Sequence, residues 1–495
     1  MREERKRMSI VTIVGGFGKE REWVRYQIES FNNFIDFGLQ KIINEVGTIR
    51  VVQDKEDLKI KFGEINIGKP VVHEADGSSR AIFPNEARIR NLNYMAPINV
   101  KLTPIFNGVQ EKSETVHIGD LPVMVKSKIC NLSGMSEGNL VSAGEDPTDP
   151  GGYFVVNGTE RALVLIEEIT SNKPIFEDTG EGGVSVRINS EKSGFKQRHL
   201  VEMKPDGGIV ISFANIKKLP IVVLLKALGL ENDKELCDFV SKEDKILNEF
   251  YTNLYETDVI TTEEAVDFIG RKMKVTKDYI QERVNQILDR YLLPHLGQGV
   301  GDRIRKSKYL ARIIRKCISV KLGLSPEDDI DHYSNKRLLM SGELFEQLFR
   351  SILLGRWGLI AKMTYNYQKL VKRGKFPSVQ SIIEANTVTK QILSSLATGT
   401  WIGGRTGVSQ RLDRSSYIKT VSHLRSVLSP LTPTQEHFKA RQIHPTEWGR
   451  LCPAETPEGS SIGLRKHLAL LTEITPGISK EEEEAIIGLL QGGKK

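Results

Sequence analysis

The sequence has few cysteines and no long apolar run. Its 495 residues include four cysteines, at Cys130, Cys237, Cys317 and Cys452. No two of them lie close together in the chain, so we expect neither a zinc site built on a C-x-x-C pair nor a disulfide framework. The longest strongly apolar run, residues 221–230, contains Lys226 and is too short to span a bilayer. The basic N-terminus also lacks the apolar segment of a secretion signal. We therefore expect a cytoplasmic protein without membrane contact.

The composition is that of a soluble globular protein with an uneven charge distribution. Apolar residues make up 39% and charged residues 27%, and 495 residues are too many for one compact core, so we expect about three domains. The net charge is +7, which is compatible with nucleic-acid binding. Residues 401–467 hold ten Lys or Arg against five Asp or Glu, so most of the excess positive charge lies in this short stretch.

The order of the predicted elements favours a multidomain α+β fold. Apolar residues at helical spacing predict a helix over residues 21–45, and residues 48–126 are predicted to be strand-rich. Asn157–Gly158 between two apolar runs predicts a β-hairpin. Strands over 170–215 and helices over 217–400 should follow, an order that is typical of α+β domains rather than of a doubly wound parallel sheet.

Four helical segments are predicted in more detail. In the last of them, Ser479 and Glu482 fit a capping box at the start of a short helix. The segments are Glu263–Ile269, Lys277–Leu292, Leu338–Leu354 and Ser479–Lys495.

Two glycine-rich segments resemble nucleotide-binding loops only superficially. Residues 11–19, VTIVGGFGK, lack the glycine spacing of a P-loop, and Glu20 stands where a Ser or Thr would hold magnesium. The G-x-G-x-G at residues 297–301 has no strand–turn–helix context. We predict turns at both places, and a nucleotide-dependent enzyme built on residues 11–19 is a disfavoured alternative.

Acidic and histidine-containing segments do not predict a metal site. Residues 327–331 follow Ser325–Pro326 and are predicted to be a capped helix start or an exposed turn. His423, His437 and His444 are too far apart for a zinc ligand set. We therefore expect this chain to bind no metal.

Residues 303–321 hold eight basic residues and no acidic one. In a helix, Tyr309, Ile313, Ile314 and Cys317 would form the buried stripe. A solvated basic face is the favoured interpretation, and contact with nucleic acid or a partner protein is the alternative.

Residues 396–468 are rich in Gly, Pro, Ser and Thr, so we expect no simple amphipathic element there. Basic residues are spread through this irregular stretch, which suits contact with a phosphate backbone. Three aromatic residues could stack on bases or belong to the core, namely Trp401, Tyr417 and Trp448.

Long motifs in this stretch resemble the fork region of the second-largest (B or β) subunit of multisubunit DNA-dependent RNA polymerases. The motifs are GVSQRLDRSSYIKTVSHLRSVLSP (407–430) and ARQIHPTEWGRLCPAETPEGSSIGL (440–464). Other segments similar to that family follow the family's order: FPNEARIRNLNY (83–94), IGDLPVMVKSKICNL (118–132), DPGGYFVVNGTERALV (149–164), EEAVDFIGRK (263–272) and DIDHYSNKRLLMSGELFEQLF (329–349). The resemblance covers nearly the whole chain and is archaeal or eukaryotic in character.

The resemblance implies a domain division and a set of partners. Residues 1–169 and 342–399 would form a protrusion, residues 170–341 a lobe, and residues 400–495 the fork and the C-terminal end. The implied protein is the N-terminal half of a split B subunit, as some archaea have. Its partners would be the B′ half-subunit, the largest subunit (A′/A″), other polymerase subunits, the DNA template and the RNA transcript.

The implied activity is that of DNA-directed RNA polymerase, a nucleotidyltransferase, with no activity expected from this chain alone. The chain would form one side of the active-centre cleft and position the RNA–DNA hybrid and downstream DNA. Mg²⁺ would lie on the largest subunit and Zn²⁺ on other subunits. The alternative is a non-catalytic nucleic-acid-binding scaffold with a polymerase-like fold.

The resemblance also implies site residues. Arg441 and Glu458 would approach the nucleotide-addition site, with Glu458 acting through arginine partners rather than as a general base. A second set would face the hybrid or DNA: Gln410, Asp413, Arg414, Ser422, His423 and Arg425. The fork loops would contain Gly403, Gly404, Arg405, Thr406, Thr434, Glu436 and His437. Relatives have a Gly-rich, basic second fork loop, whereas Glu436 is acidic here.

Overall fold

The computed structural model describes residues 23–53, 56–373, 378–474 and 480–492. The chain divides into two compact units, one formed by Met1–Glu167 with Leu338–Lys495 and the other by Glu168–Arg337. Each unit has a hydrophobic core of its own. The fold is a mixed helix and sheet structure with more than one domain, which confirms the coarse prediction. The predictions for residues 11–19 and for the Ser479 cap lie outside the described residues.

The first unit combines antiparallel sheets with packed helices. Its strands are Thr48–Gln53, Glu56–Ile67, Val71–His73, Ser79–Ala81, Met95–Phe106, Val109–Gln110, Glu114–Pro122, Phe154–Val156, Thr159–Leu163, Leu165–Ile169, Ser409–Arg411, Ser426–Leu428 and Arg465–His467. Its α-helices are Arg25–Asn33, Leu39–Val46, Pro84–Ile89, Glu137–Ser142, Ser341–Leu354, Leu359–Val371, Val379–Ile382, Ala385–Thr398, Tyr417–Leu424, Phe438–Arg441 and Lys480–Gly492. A π-helical turn, Phe34–Gly38, and the 3₁₀ turns Ile402–Gly404, Pro445–Glu447 and Gly459–Ser461 also belong to it.

The strand Met95–Phe106 is the centre of the largest sheet of this unit. It pairs antiparallel with Glu56–Ile67 on one side and with Glu114–Pro122 on the other. Its even-numbered side chains from position 96 to 102 are fully buried, as a period of two requires for a strand with one face on the core. The helix Ala385–Thr398 packs so closely on this sheet that a Cβ at Gly119 would lie 2.8 Å from the Cβ of Val388.

The predicted hairpin is confirmed. Phe154–Val156 and Thr159–Leu163 pair antiparallel across Asn157–Gly158. Both turn residues have positive φ, 49° and 70°, which Asn and Gly tolerate better than other residues.

The prediction of a helix over Leu338–Leu354 is wrong at its start. Lys336–Leu339 is a strand, and the helix begins at Ser341. Tertiary contacts determine this boundary, because the main-chain N–H of Ser341 donates to the Gln27 Oε1 atom at 3.1 Å. Gly342 also lies so close to the helix Arg25–Asn33 that a Cβ there would be 1.9 Å from the Ser30 carbonyl oxygen.

The second unit joins a five-stranded antiparallel meander to a helical layer. The strands are Pro174–Asp178, Val184–Lys192, Phe195–Met203, Ile209–Phe213 and Ile216–Pro220, paired in chain order. The α-helices are Ile221–Ala227, Asp233–Val240, Asp244–Leu254, Thr262–Lys272, Ile280–Arg290 and Arg303–Lys321. The 3₁₀ turns are Lys277–Tyr279, Pro294–Leu296, Val300–Asp302 and Tyr333–Asn335.

The basic segment 303–321 is a helix, Arg303–Lys321, as predicted. Ile313, Ile314 and Cys317 are buried as expected, and Tyr309 is half-buried. Lys306 departs from the expected solvated face, because it is fully buried. Its ammonium donates at 2.8 Å to two main-chain oxygens, those of Leu288 and Asp289, and burial lowers its pKa to about 8.

Candidate nucleic-acid interface

Residues 396–468 are more regular than the sequence suggested, and the expectation of no amphipathic element is wrong. The helix Tyr417–Leu424 buries Thr420, Val421 and Leu424. Its N-terminus is capped by the Ser416 hydroxyl, which accepts from the main-chain N–H of Lys419 at 3.1 Å. The helix therefore supplies an ordered frame for the side chains predicted to face nucleic acid.

Two strands join this stretch to the hairpin region. Ser409–Arg411 pairs antiparallel with Thr159–Leu163, placing Gln410 opposite Ala162. Ser426–Leu428 runs parallel to the start of Leu165–Ile169 and antiparallel to Arg465–His467. The candidate site is thus built on paired strands from distant parts of the chain, which fixes its backbone.

Gln410, Asp413 and His423 are brought together. The main-chain N–H of Asp413 donates to His423 Nδ1 at 3.1 Å, so the ring proton is on Nε2 and donates to Gln410 Oε1 at 3.2 Å. Burial lowers the pKa of His423 below its ordinary value. His423 is therefore neutral near pH 7 and offers no positive charge to a phosphate.

Arg414 lies in a network with the hairpin. Its Nε donates to Glu160 Oε2 at 2.7 Å, and its Nη2 donates to Asp149 Oδ2 at 2.8 Å. Its guanidinium carbon lies 4.8 Å from the centre of the Tyr153 ring. Burial favours the neutral form of Glu160, but the Arg414 and Arg88 guanidinium groups hold its pKa below the usual range.

A cavity of about 710 Å³ adjoins this network. Five carboxylate side chains and three guanidinium groups line it: Glu145, Asp146, Asp149, Glu160 and Asp413 with Arg88, Arg411 and Arg414. Carboxylates outnumber the positive groups, so the cavity disfavours a phosphate. The geometry gives Arg414 a structural task within the chain, and its contact with the hybrid stays a prediction.

Arg425 does not fit the prediction of a hybrid-facing side chain. It is 4% exposed, and its guanidinium donates to the Trp23 and Ala469 carbonyl oxygens, both at 2.6 Å. Burial lowers its pKa, and the carbonyl oxygens compensate for the lost water. Arg425 therefore joins the main chain at Trp23 to the main chain at Ala469 instead of presenting charge at a surface.

Ser422 contacts the loop that carries the second motif. Its hydroxyl donates a short hydrogen bond to the Glu455 carboxylate. His467 contacts the same residue, with Nδ1 3.1 Å from the Glu455 carbonyl oxygen and Nε2 3.7 Å from Glu455 Oε1. Residues 422 and 455 are therefore held together across the site.

Arg441 connects two loops, one of which follows Glu458 in the chain. Its Nη1 donates to Ser460 O at 2.6 Å and Ile462 O at 2.9 Å, and its Nη2 donates to Pro433 O at 2.8 Å. A fourth contact reaches the Gln435 carbonyl oxygen at 3.3 Å. The structure thus brings Arg441 against the turn that follows Glu458, whose side chain is exposed.

The two loops that the resemblance predicts to be fork loops differ in how they are held. In the first, the main-chain N–H of Trp401 donates to the Arg405 carbonyl at 2.7 Å, and Arg405 Nη1 donates to Gln347 Oε1 at 3.3 Å. Gly403 and Gly404 have positive φ, which glycine tolerates, and Thr406 is exposed. In the second, Thr434 and Glu436 are exposed and His437 is half-buried.

The three aromatic residues of this stretch have different environments. Trp401 is 3% exposed and its indole N–H donates to the Leu344 carbonyl oxygen at 3.0 Å, so it belongs to the core. Tyr417 is partly exposed, and Trp448 is 77% exposed. Trp448 alone of the three presents most of its ring for stacking.

Sequence reasoning missed a buried charge cluster around Lys466. Its ammonium lies 2.6 Å from Glu447 Oε1 and 3.4 Å from Glu167 Oε2, and all three side chains are at least nine-tenths buried. Strand pairing brings Glu167 to the cluster from a distant part of the chain. No local pattern in the sequence indicates the Lys466 cluster. The Asn157–Gly158 turn, by contrast, did indicate the hairpin that carries Glu160.

Two classes of feature do not occur in the described residues. Within the ranges given above, no group of three or more His, Cys, Asp and Glu side chains is arranged to hold a metal ion. Over the same residues, no helix has the length and apolar surface needed to cross a membrane.

Comparison with known proteins gives a consistent set of relatives. Residues 22–390 match the family model described as RNA polymerase beta subunit, and residues 410–474 match RNA polymerase Rpb2, domain 3. The chain is 41% identical over 493 residues to DNA-directed RNA polymerase subunit Rpo2N of Methanococcus vannielii, an alignment covering 97% of each chain. It is 40% identical to subunit Rpo2N of Methanocaldococcus jannaschii, again with 97% of each chain covered. It is also 40% identical to subunit Rpo2 of Saccharolobus shibatae, with 95% of this chain but 42% of the relative covered.

Proposed function

Since the chain belongs to the RNA polymerase beta subunit family, we propose that it forms one side of the active-centre cleft of a DNA-directed RNA polymerase. Its function is that of a second-largest subunit, and the enzyme is a nucleotidyltransferase. In this role the chain positions the RNA–DNA hybrid and downstream DNA. Positioning lowers the barrier to reaction without a reacting group on this chain.

We propose that residues 1–169 and 342–399 form the protrusion, 170–341 the lobe and 400–495 the fork. The compact unit Glu168–Arg337, with a core of its own, supports the assignment of the lobe. The strand pairs that join residues 409–428 to the hairpin region support a fork built on the protrusion.

We further propose that the chain acts as an N-terminal half-subunit, the archaeal B″. The near-complete alignment with two Rpo2N subunits supports this, since the same chain spans less than half of an Rpo2 subunit. Its partners would then be the B′ half-subunit, the largest subunit (A′/A″), other polymerase subunits, DNA and RNA.

Nucleotide addition uses two Mg²⁺ ions that activate the RNA 3′-hydroxyl and stabilise the leaving pyrophosphate. We assign Mg²⁺ to the largest subunit and Zn²⁺ to other subunits. We propose that this chain's residues act by holding nucleic acid and by shaping the cleft.

The observation that carries the site proposal is the four-carbonyl contact of Arg441. It holds residues 433–435 against residues 460–462, next to Glu458. We propose that Arg441 is a positioning residue, which fixes this corner of the nucleotide-addition site and through it the exposed Glu458. We propose that Gln410, Asp413 and Ser422 face the hybrid, and that the hydrogen bonds described above hold their side chains in place.

Replacing Arg441 by Ala should slow elongation by the assembled enzyme more than it weakens assembly. The four carbonyl oxygens are near solvent, so water can replace the guanidinium and the loss of stability should be about 1 kcal/mol. Single-nucleotide addition rates and the yield of assembled enzyme measure the two effects. Arg283→Ala, an exposed arginine of the other unit, is the matched control. Unchanged elongation with normal assembly would show that Arg441 has no positioning role at the nucleotide-addition site.

The function itself is tested by copurification and by activity of the isolated chain. A tagged chain should recover other polymerase subunits from cells, and the purified chain alone should not extend a primer on a template. Recovery of the chain only as a monomer would favour the scaffold alternative. Primer extension by the chain alone would contradict a subunit without its own catalytic site.

A further inference from the structure

A surface outside the fork carries positive charge that the proposed function does not use. Residues 347–383 contain seven Lys or Arg and no Asp or Glu. Arg350 is buried against Glu45 and Glu346, but four others are exposed: Arg356, Lys369, Lys372 and Arg373. Within the described parts of the chain, none of these four forms an ion pair. Their charge is therefore available to a ligand.

A tight turn displays Arg356 and Trp357. The main-chain N–H of Gly358 donates to the Gly355 carbonyl at 2.8 Å. A Cβ at Gly355 would lie 2.3 Å from Ser351 O, and one at Gly358 would lie 2.5 Å from Ile352 O, so both ends of the turn require glycine. The Trp357 side chain is 75% exposed, with the Arg356 guanidinium 5.7 Å from its ring centre. The turn therefore presents a large aromatic ring to solvent, where the ring is available for stacking.

The helix Leu359–Val371 follows directly after this turn. Tyr365, Lys369 and Lys372 are spaced by four and three residues, so they lie on one face of the helix. Tyr365 is 64% exposed, whereas Met363 and others on the opposite face are buried in the core. An aromatic ring and two ammonium groups therefore follow one another along a rigid element.

Aromatic rings among unpaired cations suit an unpaired polynucleotide strand, because the rings stack on bases while the cations contact phosphates. The helix Arg303–Lys321 provides a contrast. There, Arg305, Arg315 and Lys316 have carboxylate partners within the unit, namely Asp302, Glu243 and Asp328. A duplex would leave the rings without a base to stack on.

We propose that the aromatic–basic surface, formed by Arg356, Trp357, Tyr365, Lys369, Lys372 and Arg373, binds single-stranded nucleic acid. Bases stack on the two rings and phosphates contact the four cations. The surface recognises unpaired bases and a phosphate backbone, which RNA and unpaired DNA share.

Binding by the full-length chain tests the recognition mode. The probes are labelled twelve-nucleotide oligothymidylate, oligouridylate and a duplex of the same length, measured by fluorescence anisotropy over a range of salt concentrations. Trp357→Ala should weaken single-strand binding about tenfold or more and leave the salt dependence unchanged. Lys369→Ala with Lys372→Ala should reduce the slope of log affinity against log salt by about 1.4. The two oligonucleotides distinguish DNA from RNA.

Matched changes in the other unit are the controls. Tyr255→Ala removes a ring that is 87% exposed, and Lys242→Ala with Lys245→Ala removes two exposed lysines. Both should keep wild-type binding and salt dependence. Equal losses in the test and control variants, or stronger binding of the duplex than of single strands, would overturn the proposal.

The assembled polymerase provides a second test that separates this surface from the fork. Ultraviolet crosslinking of a transcribing complex, followed by peptide mapping, should find nucleic acid on residues 356–373. Crosslinks confined to residues 405–468 would reject this surface and leave the proposed function intact, whereas their absence from both would count against that function. Protection of Trp357 from hydroxyl radicals in the assembled enzyme without nucleic acid would identify a protein partner instead.

Discussion

At the scale of single residues, buried charges do most to hold the candidate site in one conformation. Lys466 pairs with the carboxylates of both Glu447 and Glu167, and Arg425 donates to main-chain oxygens at the edge of the same region. A buried charge is tolerated only when it is paired and hydrogen-bonded. These contacts therefore make the local structure sensitive to changes that would be harmless at the surface.

Replacing Lys466 by Ala should destabilise the first unit by about 3–5 kcal/mol, because two buried carboxylates would lose their shared partner. The free energy of unfolding from urea titration of the full chain measures this. Lys242→Ala, at an exposed lysine, should cost less than about 0.5 kcal/mol. Adding Glu447→Gln to a Lys466→Met change should recover part of the loss. Equal effects at positions 466 and 242 would mean that the ion pair contributes nothing.

His423 should make stability depend on pH. Its folded pKa lies below the unfolded value of about 6.5, because burial disfavours the charged ring and the Lys419 and Arg465 charges add to this effect, while Asp413 opposes it. The unfolded state thus binds more protons, so stability is complete above about pH 6.5 and falls as pH decreases toward the folded pKa.

Replacing His423 by Gln should reduce the slope of the stability profile below about pH 6.5, measured by urea unfolding at a series of pH values. Part of the slope should remain, because burial also lowers the pKa of His199 and His295. Gln410→Leu is the control, since it removes the acceptor of the Nε2 proton but keeps the titrating ring buried. It should lower stability by about 1 kcal/mol and keep the pH dependence. A wild-type slope in the His423 variant would show that another group titrates.

At the scale of elements, the turn Gly459–Ser461 and its following residues set the position of Arg441. Gly463 has φ of 72°, and a Cβ there would lie 2.3 Å from the Arg441 carbonyl oxygen. Gly459 has a similar φ of 78° but nothing within 4 Å of the added atom. Both glycines have a positive φ, and they differ only in whether other atoms lie close to an added Cβ.

Gly463→Ala should therefore displace Arg441, whereas Gly459→Ala should not. Both variants carry the cost of positive φ, about 1–2 kcal/mol. If Arg441 positions the nucleotide site, elongation by the assembled enzyme should fall about 10- to 100-fold for Gly463→Ala relative to Gly459→Ala. The rate of single-nucleotide addition is the measurement. Identical rates for the two variants would show that the close approach of Gly463 to Arg441 does not affect elongation.

At the scale of the whole molecule, the two units have independent cores. The core of the second unit consists of residues between Phe176 and Ile318, all within Glu168–Arg337. A unit of this kind contains what it needs to fold by itself.

A fragment of residues 168–337 should fold alone and unfold in one cooperative transition, followed by circular dichroism and calorimetry. A shorter fragment, residues 184–337, lacks the strand Pro174–Asp178 with its buried Ile175 and Phe176 and should be less stable by several kcal/mol. A non-cooperative transition in the longer fragment would contradict an autonomous unit.

Local signals in the sequence determined a large part of this protein. Alternation predicted the strand-rich region, Asn157–Gly158 predicted the hairpin, and the long fork motifs predicted the polymerase family that the comparisons confirm. These signals succeed because they depend on residues that are close in the chain.

The tertiary structure alone decided the partners of the charged residues. Arg414 meets Glu160 across 254 positions, Arg425 meets the Trp23 carbonyl across 402, and Ser341 meets Gln27 across 314. The sequence predicted that Arg414 and Arg425 would offer positive charge to a phosphate. It also predicted that the helix ending at Leu354 begins at Leu338, whereas that helix begins at Ser341. Which charges remain available to nucleic acid depends on whether a distant segment brings a carboxylate or carbonyl to them, and only the folded chain determines that.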